Sequence, residues 1–249
     1  MKTLIAIPAR IASTRLPGKM LADIGGEPLI VRTYKSAVAA NVGDVIVACD
    51  SEEIAAAVRK AGGIAILTDP DLPSGTDRGF DAYKQYDKNH RYDFVINVQG
   101  DMPFVAPEFI QYCNNMLRKS SCDISTIATL IQDDSYKQEN IVKPVIVFEK
   151  ENSGRAIYFS RSAVPFGGPY HHHIGIYCFR SQALEKFVTL PQGALEKTEK
   201  LEQLRALENN MTIGVDVLPL KPPISVDVSA DLEAAREYFR LLPDGLRQP

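Results

Sequence analysis

Four short runs in the first hundred residues are apolar almost throughout: residues 4–8 (LIAIP), 44–49 (DVIVAC), 64–67 (IAIL) and 94–98 (FVINV). A strand with one wet face alternates apolar and polar residues; a continuous apolar run is a strand buried on both faces. Longer amphipathic stretches separate the runs. Residues 28–40 have helical spacing, and Ser51 is placed to cap a helix reaching Ala61, with Glu52 and Glu53 favourable in its first turn. Further helices are expected over residues 76–88 and 107–118, the latter opening on Pro107, where the missing N–H costs nothing. Strand and helix in alternation predict an α/β fold with a mostly parallel central sheet and helices on both faces. In such sheets ligands bind beyond the carboxyl ends of the strands. The polar residues of interest fall there: residues 9–19, Asp50 and residues 99–101.

The second half is richer in strands, expected over residues 124–130, 142–148 and 173–179, with helices at 181–189, around 196–208 and at 230–241. No proline- or glycine-rich linker divides the chain. The expectation is one domain over residues 1–249, in two halves, 1–120 and 121–249, with the later strands forming an extension or subunit-contact region. The tail from Pro243 to Pro249 is expected to be poorly ordered. A net charge of −3 gives no global field for nucleic acid or an anionic membrane, so an anionic ligand must meet a local group of cations. No apolar run is long enough for a membrane span, and the N-terminal apolar stretch is too short for a signal peptide, so a cytoplasmic location is expected. Cys49, Cys113, Cys122 and Cys178 are scattered and read as buried free thiols.

The strongest chemical signal is IPARIASTRLPGK, residues 7–19, directly after the first strand. Arg10, Arg15 and Lys19 are the only charged residues between Lys2 and Asp23. Small residues and Gly18 let backbone N–H groups approach a phosphate while the cations neutralise it. The spacing is neither that of a Walker loop nor G-x-G-x-x-G. Taken alone, it balances a phosphate-binding loop against a solvated basic one.

In order along the chain follow SGTDR (74–78), NVQGD (97–101), YFSR (158–161), HIGIY (173–177), LEQLR (201–205) and Val226-Asp227 with Asp231-Leu232. As an ordered set with the basic loop, spanning nearly the whole chain, these segments resemble the 3-deoxy-manno-octulosonate cytidylyltransferase (CMP-KDO synthetase) family. The resemblance implies a Rossmann-like nucleotidyltransferase fold. It also implies transfer of CMP from CTP to a 3-deoxy-octulosonate, with release of pyrophosphate, for lipopolysaccharide biosynthesis. Nucleotidyl transfer needs the triphosphate neutralised and the α-phosphorus presented in line, which suits Arg10, Arg15 and Lys19. Asp101, just past an apolar strand, suits Mg²⁺, a hard cation held by few carboxylates and several waters. The resemblance adds Asp227 as a second carboxylate at that metal; alone, an aspartate there reads as a turn or cap. It further implies Gln99, Ser74 and Arg78 at the nucleotide, and Arg161, His173, Tyr177, Glu202 and Gln203 around the sugar. His173 and Tyr177 fall on one face of a strand, although a satisfied core pair is an equal reading of the residues alone. A homodimer is implied as well.

The chain departs from the family pattern in three places. Met102 stands where a glutamate follows the metal-site aspartate, the loop before His171 is short, and Val-Ser-Ala follows Asp227. An 8-amino octulosonate therefore remains open as acceptor. A sialic acid-like acceptor is a rival within the enzymes, and a catalytically silent nucleotide-binding protein is a rival outside them. The run His171-His172-His173 does not read as a metal site, since consecutive strand residues face opposite sides and no further ligand lies nearby.

Overall fold

The computed structural model describes residues 1–243. The chain divides into two compact units, one formed by Met1–Ile110 with the segment from Pro223 on, the other by Gln111–Pro222. The C-terminal segment thus belongs with the first unit. The Val226 N–H donates to the Asp101 carbonyl at 2.9 Å, which holds that returning segment in place.

The first unit opens with β1 (Thr3–Ala9), a small hairpin of β2 (Asp23–Ile24) and β3 (Glu27–Pro28), and α1 (Leu29–Ala39). It continues through β4 (Asp44–Cys49), α2 (Glu52–Lys60), β5 (Ile64–Leu67), α3 (Gly75–Tyr86) and β6 (Phe94–Asn97) to α4 (Pro107–Lys119), within which the units divide. Its strands run parallel in the order β5-β4-β1-β6. Every residue of β1 is buried, as its uninterrupted apolar run requires. Leu4, Ile5 and Ile7 are fully sealed, each contributing roughly 1.5–3 kcal/mol of transfer free energy. The helices α3, α2 and α1 pack on these strands. Ser51 caps α2 by accepting from the Ile54 N–H at 3.3 Å, as its sequence context predicts.

The second unit contains β7 (Ile124–Leu130), β8 (Lys143–Lys150), β9 (Ser153–Ser160), β10 (His171–Arg180), α5 (Ser181–Thr189), α6 (Ala194–Glu199), α7 (Leu204–Glu208) and β11 (Ile213–Leu218). Its strand order is β10-β7-β11-β9-β8, antiparallel except for the β7–β11 pair. The chain then returns to the first unit with α8 (Ser229–Leu241). The α/β expectation holds: a parallel sheet with packed helices, plus a strand-rich extension.

Four strands, the short β2 and β3 of the hairpin together with β9 and β11, are additions to the sequence reading. The helix expected around 196–208 is instead two short ones, because Lys200 adopts a left-handed conformation (φ 53°) that stops α6. From residue 244 on, the expectation for the tail falls outside the described residues.

Candidate active site

At the carboxyl ends of the first unit's strands lies a cleft of about 290 Å³, lined among others by Arg10, Ser13, Arg15, Lys19, Ser74, Arg78, Gln99, Asp101 and Asp227. All the nucleotide-side and metal-side residues expected from the sequence therefore share one cavity.

The basic loop is pinned at three points. The Ile11 N–H donates to Asp50 Oδ1 at 2.8 Å. The Leu16 N–H reaches Ser13 Oγ at 3.4 Å, and the Gly18 N–H closes back on the Ile11 carbonyl at 3.2 Å. Gly18 sits at φ 71°, a left-handed turn that glycine adopts without strain. Asp50, at the end of β4, is in turn held by Arg78 at 3.6 Å, and both side chains are nearly sealed. Arg78 also donates to Thr68 Oγ1 at 2.7 Å and to the Pro70 carbonyl at 3.2 Å. Its charge is thus paired with Asp50, while its side chain also lines the cleft. Ser74 caps α3, accepting from the Asp77 N–H at 3.1 Å while its hydroxyl donates to the Asp77 carboxylate at 2.7 Å. Gly100 must be glycine, since a Cβ there would stand 2.5 Å from the Pro8 carbonyl oxygen. That close approach is what sets Asp101 against the end of β1.

Lys19 is the centre of the site. Its ammonium donates to Asp101 Oδ2 at 2.8 Å, to the Val226 carbonyl at 2.7 Å and to Asp227 Oδ1 at 3.3 Å. All three of its protons are thereby used, and its side chain is only 9% exposed. Arg15 reaches the same Asp227 oxygen at 2.9 Å from a largely exposed position. Asp231, at the start of α8, accepts the N–H groups of Asp227 and Val228 at 2.8 and 2.9 Å, which fixes the backbone carrying Asp227. Two carboxylate oxygens thus converge within 3.3 Å of one cationic point. Hard anionic oxygens of this kind fit a Mg²⁺ ion that completes its shell with water and phosphate. Met102 is buried and adds no third carboxylate. Among the described residues, no group of three or more His, Cys, Asp or Glu side chains is placed to hold a metal unaided.

The residues expected around the sugar all belong to the second unit. His173 and Tyr177 lie on β10 with ring centroids 5.4 Å apart. A bulge between Ile174 and Tyr177 intervenes, but it inserts two residues, so the alternation of faces survives. Burial pushes the His173 pKa down to about 3. Burial, followed by the charge of Glu202, pushes the Tyr177 phenol well above its ordinary value. Glu202 lies on the link between α6 and α7, its carboxylate 3.9 Å from Arg205. Arg205 makes a buried two-point pair with Glu196 at 2.5 and 2.8 Å and stacks over Phe187. This clasp holds the link that carries Glu202 and the buried Gln203.

Arg161, expected near the sugar, has three of its five N–H donors on backbone carbonyls. Its guanidinium donates to the carbonyls of Glu199 (2.8 Å), Glu139 (3.0 Å) and Lys200 (3.2 Å). Sequence reading missed Glu199, whose carboxylate gathers the YFSR segment by accepting from Tyr158 (3.4 Å), Ser160 (2.7 Å) and the Arg161 N–H (3.0 Å). It also missed Lys143, fully buried, whose ammonium donates to the carbonyls of Gln138 (3.0 Å), Ile141 (2.6 Å) and Arg161. A lysine opening an apolar strand, KPVIV, was the available signal for it.

Over residues 4–213 the chain matches the family model described as Cytidylyltransferase. The 3-deoxy-manno-octulosonate cytidylyltransferase of Paramagnetospirillum magneticum is 48% identical, covering 95% of this chain and 97% of its own. That of Parvibaculum lavamentivorans is 49% identical, covering 94% and 91%. A solved structure of CMP:2-keto-3-deoxy-manno-octonic acid synthetase complexed with CTP is similar, with a TM-score of 0.87 at 33% identity, over 96% of this chain and 99% of that one. A cytidylyltransferase from Leptospira borgpetersenii, 18% identical with a TM-score of 0.63 over 98% and 89% of the two chains, shares the fold.

Proposed function

The chain belongs to the 3-deoxy-manno-octulosonate cytidylyltransferase family, and from that premise we propose that it is the enzyme that transfers CMP from CTP to 3-deoxy-manno-octulosonate, releasing pyrophosphate. The observation that carries this reading is the Lys19 ammonium set between Asp101 and Asp227 in a cleft lined by Arg10 and Arg15. That constellation suits a triphosphate and its counter-ion. The product's place in lipopolysaccharide biosynthesis follows from the family.

The reaction is a single displacement. The anomeric hydroxyl oxygen of the acceptor bonds to the α-phosphorus, the bond from that phosphorus to the bridging oxygen breaks, and pyrophosphate leaves. The hydroxyl proton passes to solvent or a nearby base. Arg10, Arg15 and Lys19 neutralise the triphosphate, and positioning with electrostatics does most of the work. We assign Asp101 and Asp227 as the carboxylates that hold Mg²⁺. When bound, that ion supplies charge neutralisation and Lewis-acid polarisation of phosphate oxygens. Gln99 and Ser74 serve the nucleotide, and His173, Tyr177, Glu202 and Gln203 serve the acceptor. Arg161, with three of its N–H donors on backbone carbonyls, keeps two for the acceptor.

No helix among the described residues is long and apolar enough to cross a membrane, and a cytoplasmic location remains our reading. So does a homodimer, supported by the exposed Val147, Phe148 and Ile157 on β8 and β9; sedimentation tests it. Pyrophosphate release with CTP and Mg²⁺ tests the reaction, run with 3-deoxy-manno-octulosonate, its 8-amino analogue and a sialic acid in parallel. Release with the octulosonate supports the reading. Silence with it, beside turnover of another acid, moves the acceptor. Silence with all three, alongside CTP binding, points to a protein that binds without catalysis.

A further inference from the structure

The register of β10 shifts between Ile174 and Tyr177, and there one hydroxyl of β7 lies close to the carbonyls of both Ile174 and Ile176. Thr126, fully buried on β7, lies with Oγ1 at 2.7 Å from the Ile176 carbonyl and 3.2 Å from that of Ile174. The same oxygen is 2.9 Å from His173 Nε2. A hydroxyl has one proton and two lone pairs, and carbonyl oxygens only accept. If the proton pointed at His173, two oxygens 2.7 Å apart would face each other with no hydrogen between them. The proton therefore belongs to the Ile176 carbonyl, and Oγ1 offers a lone pair to His173. Nε2 must then be the protonated ring nitrogen, because the bond made at one nitrogen sets the tautomer at the other.

We propose that Thr126 is a positioning residue that locks His173 in the neutral Nε2–H tautomer, leaving Nδ1 as a pure acceptor for a hydroxyl of the sugar acid. The hydrogen bond His173 makes is through Nε2, and its ring is 7% exposed. The ring is held between Phe159, edge-on at 4.9 Å, and Tyr177 at 5.4 Å, so it cannot swing to present the other nitrogen. Burial keeps it uncharged at neutral pH. A neutral acceptor is the wrong partner for the acceptor's carboxylate and the right one for an alcohol. His173 thus reads hydroxyls, and the carboxylate must be met elsewhere. Placing His173 at the sugar rests on the function proposed above; the tautomer rests on the geometry alone.

The test separates the two. Protein labelled with ¹⁵N-histidine is examined by two-bond ¹H–¹⁵N correlation at pH 7, with the His173 signal assigned by its loss in His173→Gln. The expected pattern is a protonated Nε2 and a bare Nδ1. An Nδ1–H tautomer or an imidazolium at His173 overturns the proposal, whatever the enzyme turns over. Thr126→Val, which removes the hydroxyl at nearly constant shape, should mix the two tautomers. It should also raise the KM for the octulosonate roughly fivefold, the scale of one neutral hydrogen bond, while the KM for CTP stays put. Thr126→Ser should restore both the pattern and the KM. An unchanged His173 signal in Thr126→Val, or a Thr126→Ser variant that fails to restore it, also overturns the assignment.

Discussion

Replacing Lys19 by methionine keeps an unbranched apolar stem out to the ε position and removes the ammonium with its charge and donors. In the folded protein the ammonium makes three bonds, and their contributions differ. The bond to Asp101 joins side chains that are 9% and 21% exposed, so it contributes near the middle of the range of about 1.5–3 kcal/mol for a charged hydrogen bond. The pair with Asp227 counts for little, because that carboxylate is 40% exposed and keeps Arg15 at 2.9 Å. The Val226 carbonyl loses its 2.7 Å donor, which adds about 1 kcal/mol. The sum is about 3 kcal/mol, or a fall in Tm of roughly 6–12 °C for a chain of this size, read by calorimetry. Turnover, read by pyrophosphate release, should fall by about 10²–10³-fold, the loss expected for one donor aimed at developing charge. A third readout has the opposite sign. The ammonium occupies the point where two carboxylates converge, so in the absence of CTP the Lys19→Met variant should bind Mg²⁺ or Mn²⁺ more tightly than the parent by titration calorimetry. A folded variant that turns over within tenfold of the parent, or that binds metal more weakly, refutes the reasoning.

Asp50→Ala should free the Ile11 N–H and strand the buried Arg78. The KM for CTP should rise while that for the sugar acid holds, and Asp50→Asn, which keeps an acceptor, should recover part of the loss. Glu196→Ala leaves Arg205 buried without its two-point partner. About 3 kcal/mol of stability should go, the low end for a broken buried pair, because Phe187 and Glu202 still face the guanidinium; urea unfolding measures it. His173 titrates near 3 when folded and has an ordinary value of 6.5. Between those values the unfolded chain binds the proton and the native ring does not, so stability falls as pH drops below 6.5, by up to about 1.4 kcal/mol per unit. Urea unfolding at pH 7.5 and 5.5 should show the fall, and His173→Gln should lessen it, leaving the part due to His171 and His172, which burial also pushes down.

The first unit was largely legible from sequence because its signals are local. Continuous apolar runs mark β1, β4, β5 and β6, and Ser51 with two glutamates announces α2. The second unit hid more. In β11, Gly214 and Asp216 interrupt the apolar pattern. In β9, serine, glycine and arginine mask a strand whose identity comes from pairing with its neighbours. The break between α6 and α7 depends on the backbone of Lys200, a residue with no turn signature. At the site, residue types were readable and their partners were not. Lys19 and Asp227 meet across 208 positions, and nothing local foretells that Asp50 anchors the basic loop or that Arg161 gives three donors to backbone carbonyls.

The central claim is direct attack by the acceptor's anomeric hydroxyl on the α-phosphorus of CTP. It is tested most directly with octulosonate carrying ¹⁸O at that hydroxyl and mass analysis of the products. The account predicts one pyrophosphate per CMP-sugar, with the label kept in the bridge between sugar and phosphorus and none in pyrophosphate. Label in pyrophosphate, or release of CDP with inorganic phosphate, would contradict it.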